Sequence, residues 1–136
     1  MMEKLEIVAK RENLPQVTEF IDLQLEKINC EIKKQLQLDI AVEEIYINIA
    51  SYAYDGKEGP SEIIFDTVDN DNVSITFLDS GVPYNPLAKE DPDITLSAAE
   101  REIGGLGIFM LKQSMDDMKY EYKDGKNCLT LIKNIR

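Results

Sequence analysis

Apolar positions along this chain change period several times, and each change marks an element. From about Glu3 to Lys10 they alternate, with Leu5 and Ile7 on one side, as in a strand. Pro15 then stands where a helix can begin, and Val17, Phe20, Ile21, Leu25 and Ile28 recur at helical spacing. A second helix is expected from about Glu31 to Tyr54, with the stripe Leu38, Ala41, Ile45, Ile49 and Tyr52. Asp55-Gly56 and Gly59-Pro60 end it. Ile63–Val68 and Val73–Leu78 read as two strands of a hairpin, parted by the turn-forming Asp69-Asn70-Asp71-Asn72.

From Asn85 to Gly104 there is no clear core stripe beyond a possible short helix near Ser97 to Glu102, and Pro86 and Pro92 interrupt the run. At about twenty residues it is long for a connection, which suits a lid. A helix is expected from about Gly107 to Met115. Two closing strands follow, Met118–Tyr122 and Cys128–Lys133, joined by the hairpin pair Asp124-Gly125. The order predicts a two-layer α/β sandwich: a mixed sheet of about five strands with helices on one face. The 136 residues suffice for one such core, so a single domain over 1–136 is expected.

Composition narrows the chemistry. Lys and Arg number 15 against 26 Asp and Glu, and the net charge of −11 repels a phosphate backbone. No direct nucleic-acid binding is expected, and basic protein partners suit the surface better. No apolar run is long enough for a membrane span, Met-Met-Glu-Lys lacks a signal-peptide core, and Cys30 and Cys128 make no disulfide framework or zinc site. A cytoplasmic chain with reduced thiols is the expectation. There is no histidine, which removes a phosphoacceptor histidine and Ser-His-Asp chemistry together.

Three segments carry the candidate chemistry. Glu44-Ile45-Tyr46-Ile47-Asn48 sets a carboxylate and a carboxamide one helical turn apart on one face, while Glu43 points away from them. Asp79-Ser80-Gly81-Val82-Pro83-Tyr84-Asn85-Pro86 ends a strand with an acid and a glycine, pairing a hydrogen-bond acceptor with a turn of close backbone approach. Gly104-Gly105-Leu106-Gly107 puts glycines at a helix start, whose free N–H groups favour an anion. An acid, a metal-competent oxygen, a close turn and a phosphate cradle describe a nucleotide site. No Walker A exists, since Gly56-Lys57 and Gly125-Lys126 lack the preceding glycine and the following Ser or Thr.

In this order the three segments resemble the boxes of the Bergerat-fold ATPases, the superfamily of gyrase, MutL and histidine kinases. The wording Asp79-x-Gly-x-Pro-Tyr-Asn-Pro with Ile103-Gly-Gly-Leu-Gly-Ile-Phe, and the chain length, are most similar to the anti-sigma-factor serine/threonine kinases of bacterial partner-switching systems. The resemblance implies ATP and Mg²⁺ as ligands, with the Asn48 oxygen on the metal and Glu44 as general base on the incoming hydroxyl. It implies Asp79 accepting from the adenine amine, Gly81 letting the base approach, and Asn85 as a second polar contact. Backbone N–H groups from Gly104 through Gly105, Leu106 and Gly107 would hold the phosphates.

The same resemblance implies a serine/threonine protein kinase that binds a sigma factor, phosphorylates an antagonist protein, regulates transcription and forms a homodimer. The alternative is an ATP-gated protein-binding module without kinase activity; the retained Glu44 speaks for the kinase. Some relatives carry Arg-Ser before the glycines, where this chain has Ile103-Gly104, with Arg101 nearby as a substitute. Many have Gly-Thr entering the last strand, against Asn127-Cys128 here with Thr130 two residues on. Others have His-Gly where this chain reads Ser51-Tyr52-Ala53.

Overall fold

The computed structural model describes residues 2–88 and 105–136. Five strands and three α-helices follow in the order β1 (Met2–Val8), α1 (Leu14–Lys27), α2 (Ile32–Tyr52), β2 (Pro60–Thr67), β3 (Asn72–Asp79), α3 (Gly105–Ser114), β4 (Asp117–Lys123) and β5 (Lys126–Asn134). Short 3₁₀ turns stand at Arg11–Asn13 and Pro86–Ala88. The strands lie in the order β1-β2-β3-β5-β4. Every neighbouring pair is antiparallel, so the sheet is not mixed as expected. The reason is topological. Two tight hairpins supply two of the pairings, and β5 returns from β4 to lie beside β3, so strand directions alternate throughout.

Local chemistry explains the turns. The Asp69 carboxylate accepts from the backbone N–H groups of Asp71 (2.8 Å) and Asn72 (2.9 Å), closing the β2–β3 hairpin. Asp124 and Gly125 both take positive φ, 55° and 76°, which matches the twist of the β4–β5 strands. Asn29 (φ 56°) follows the end of α1, in the left-handed conformation that asparagine tolerates.

One face of the sheet meets the helices. Leu5, Ile63, Phe77, Leu129 and Tyr120 form one row across the strands, and Phe65, Ile75 and Leu131 lie in the next. These pack against Val17, Ile21 and Leu25 of α1, Leu38, Ala41, Val42 and Ile45 of α2, and Leu111 of α3. Tyr52, expected in the α2 stripe, is instead 54% exposed, because the helix has run past the core by its last turn. At one end of the sheet Ile7, Ser61, Asp79 and Asn127 are in register, and the last three are polar and buried. That end carries the candidate site residue Asp79. Among the described residues no helix is long and apolar enough to cross a membrane.

Candidate functional site

Asp79 ends β3 on the inward face, so the strand itself carries its carboxyl below the helix layer. Its Oδ1 accepts from the Gly81 backbone N–H (2.9 Å) and from the Asn127 side-chain Nδ2 (2.9 Å). No hydrogen bond to its Oδ2 is found among the described residues. Gly81 has a packing reason to be glycine. A Cβ there would lie 2.7 Å from the carbonyl carbon of Ala53 and closer still to its oxygen. The close approach that the sequence suggested is therefore made to the end of α2, where the Val82 N–H donates to Ala53 O (3.1 Å).

Tyr54 fastens the same corner. Its hydroxyl donates to Pro60 O and accepts from the Ser80 N–H (2.7 Å), joining the end of α2, the start of β2 and the turn after β3. Burial pushes its phenol above the usual range. Gly59 leaves room for the ring, since a Cβ there would collide with it.

Glu44 and Asn48 sit four residues apart on α2, both half-buried, and neither side chain has a hydrogen-bond partner among the described residues. Glu43 is exposed, as its place on the helix requires. Tyr46, between them in the chain, faces the other way and is fully buried. Its hydroxyl meets Val8 O (3.0 Å), Lys10 O (2.8 Å) and Lys10 N (3.1 Å), tying the β1–α1 connection to α2. The Ser51 hydroxyl, one turn beyond Asn48, accepts from Arg11 Nη2 (3.0 Å).

Gly105, Leu106 and Gly107 form the first turn of α3, earlier than the expected start at Gly107. The difference is small physically: first-turn N–H groups have no intrahelical acceptor whichever residue begins the turn. They remain the donors a phosphate cradle needs, and α3 lies against α2. Gly104, Arg101 and the short helix expected near Ser97 lie outside the described residues. Asn85 is exposed, and its Oδ1 accepts from the Leu87 N–H (2.9 Å), capping the 3₁₀ turn.

Asn127, which the sequence marked only as a departure from the Gly-Thr of relatives, has a role that the sequence did not show. It is buried, opposite Asp79 in the β3–β5 register. Its Nδ2 donates to Asp79 Oδ1 and to Val82 O (2.9 Å), while its Oδ1 accepts from the Tyr84 N–H (3.0 Å) and the Tyr120 hydroxyl. Alternation along β5 was the available signal, since Asn127 shares a buried face with Leu129, Leu131 and Lys133 and ends it beside Asp79. Thr130 belongs to the other face. It pairs with Thr76, hydroxyl to hydroxyl at 3.1 Å, away from Asp79.

The donor set suits a nucleotide. A carboxylate that accepts only, with one oxygen uncommitted, matches an amine donor. The Asn48 oxygen matches a Mg²⁺ ion that takes its other ligands from phosphate and water. Among the described residues no group of three or more acids or cysteines could hold a metal ion by itself.

Residues 7–133 match the histidine kinase-like ATPase domain family. The chain belongs to that family. It is 28% identical over 92 residues to the serine-protein kinase RsbW of Listeria monocytogenes, a match spanning 65% of this chain and 59% of that kinase. It is 24% identical over 130 residues to the anti-sigma F factor of Clostridium perfringens, covering 96% of this chain and 93% of that one. Among solved structures, the RsbU and RsbW domains of a Mycobacterium tuberculosis protein superpose with a TM-score of 0.66 at 16% identity, over 98% of this chain and 32% of that one. The mycobacterial sensor histidine kinase MprB gives 0.54 at 16% identity, over 98% and 99%. Both share the α/β fold.

Proposed function

We propose that this domain is an ATP- and Mg²⁺-dependent serine/threonine protein kinase of the anti-sigma type. It would hold a sigma factor and phosphorylate an antagonist protein. The carrying observation is the corner where the Asp79–Gly81 turn packs on the end of α2, the helix that presents Glu44 and Asn48 with uncommitted polar atoms. Two relatives named for serine-protein kinase and anti-sigma activity support the reading.

In this reading Asp79 Oδ2 accepts from the adenine amine, and the first-turn N–H groups of α3 orient the phosphates. The Asn48 oxygen holds Mg²⁺, which supplies charge neutralisation at the phosphates. Glu44 takes the proton from the incoming serine or threonine hydroxyl, a task for a carboxylate that binds no metal. Positioning and charge account for most of such catalysis. Homodimerisation would use a free sheet edge, and β1 is one.

The test is transfer of label from γ-labelled ATP to a cognate antagonist protein, with Mg²⁺ and with chelator. Labelled antagonist at Ser or Thr in the Mg²⁺ arm alone is expected. A protein that binds ATP yet labels no antagonist is the gated binding module instead.

A further inference from the structure

Asn127 spends its whole amide on four partners. The Tyr84 N–H can only donate and Val82 O can only accept, so the amide's orientation is fixed by its surroundings: Oδ1 toward Tyr84 and Tyr120, Nδ2 toward Val82 and Asp79. The Tyr120 hydroxyl donates to Oδ1, and burial pushes its phenol above the usual range. No donor or acceptor of Asn127 is left for a ligand.

Its effect falls on Asp79. A carboxylate oxygen has about two lone-pair sites. Those of Asp79 Oδ1 are taken by the Gly81 N–H and by Asn127 Nδ2, both at 2.9 Å. Only Oδ2 remains. A purine with two neighbouring N–H donors, as guanine has at N1 and N2, needs both oxygens of a carboxylate for a bidentate contact. Adenine brings its one exocyclic amine and needs a single oxygen. We infer that Asn127 makes Asp79 a one-oxygen acceptor and thereby sets the site's selectivity for adenine over guanine.

This inference rests on the nucleotide reading above and assigns Asn127 a positioning role. The same amide ties Val82 and Tyr84, the chain leading away from the turn, to β5. The residue that limits Asp79 therefore also fixes the wall beside it.

Calorimetric titration with ATP, GTP and ITP tests the idea, because hypoxanthine has the N1–H of guanine and lacks its 2-amino group. Wild type should bind ATP, and should bind GTP and ITP with equal, weak affinity, since the second donor of guanine finds no free oxygen. In Asn127→Ser and Asn127→Ala, confirmed folded by circular dichroism, the one Oδ1 site that Asn127 held is released. GTP should then gain about tenfold over ITP, and the ATP preference over GTP should fall. A purely structural role would weaken all three nucleotides in proportion and leave the ratios alone. Wild type that prefers GTP to ITP would overturn the proposal without any variant, as would a folded variant with unchanged ratios. Wild type that binds no ATP would refute the nucleotide reading instead.

Discussion

One methyl group at position 81 separates this corner from one that cannot close. Gly81→Ala places a Cβ against the Ala53 carbonyl, which is backbone and cannot swing aside. The turn must move off α2, straining or breaking the Val82–Ala53 hydrogen bond. A loss of about 2–4 kcal/mol in urea unfolding is expected. At Glu44 the expectation is opposite in kind. The carboxylate makes no hydrogen bond among the described residues, so Glu44→Gln should leave the melting temperature and ATP affinity near wild type. Phosphotransfer should fall by about 10²-fold or more, because the amide keeps the shape and loses the basicity. Single-turnover labelling of the antagonist, read beside calorimetry, measures both. At this scale residue type and spacing proposed Asp79, Glu44 and Asn48, which lie buried at the end of β3 and half-buried on α2. They did not show the role of Asn127, which depends on lying opposite Asp79 across a strand pair that forms from segments 48 residues apart.

Between elements, the seam of α1 and α2 holds one carboxyl, Asp39, with a raised pKa. Burial pushes the Asp39 carboxyl up to about 7, and a hydrogen bond with Asp22 and the negative charges of Asp22 and Glu26 push it the same way. Gln35 Nε2 donates to Asp22 Oδ1 at 3.1 Å, while Asp39 Oδ1 is buried without a partner. An acid whose folded pKa is raised binds its proton more tightly in the folded state. Its favourable contribution is therefore full below about 4 and lost as pH rises towards about 7. Asp39→Asn should remove that loss. The variant should exceed wild type by about 1 kcal/mol at pH 8, a figure reduced for solvent screening at this partly open seam, and match it near pH 4. Thermal melts at the two pH values decide it. Element boundaries were legible where period and turn chemistry agreed, as at Asp124-Gly125, whose positive φ pair the sequence dictates. The antiparallel course of the whole sheet was not legible, because which strand β5 joins is settled by long-range packing.

Across the whole molecule, one layer of helices and one sheet bring the buried Ser61, Asp79 and Asn127 together at one end, where the strand ending at Asp79 and the helix ending near Ala53 meet. The phosphates of a nucleotide are anionic and the domain carries a net charge of −11, so they gain no attraction from a distance and their affinity must come from local donors. The nucleotide site is the central claim, and calorimetric titration of ATP with and without Mg²⁺, on wild type, Asn48→Ala and Asp79→Asn, tests it most directly. Wild type should bind ATP and gain affinity from Mg²⁺. Asn48→Ala should lose most of that gain, and Asp79→Asn should weaken binding in both conditions by about tenfold or more, because half of an acceptor-only group becomes a donor. Equal affinities for all three proteins, with and without the metal, would contradict the account.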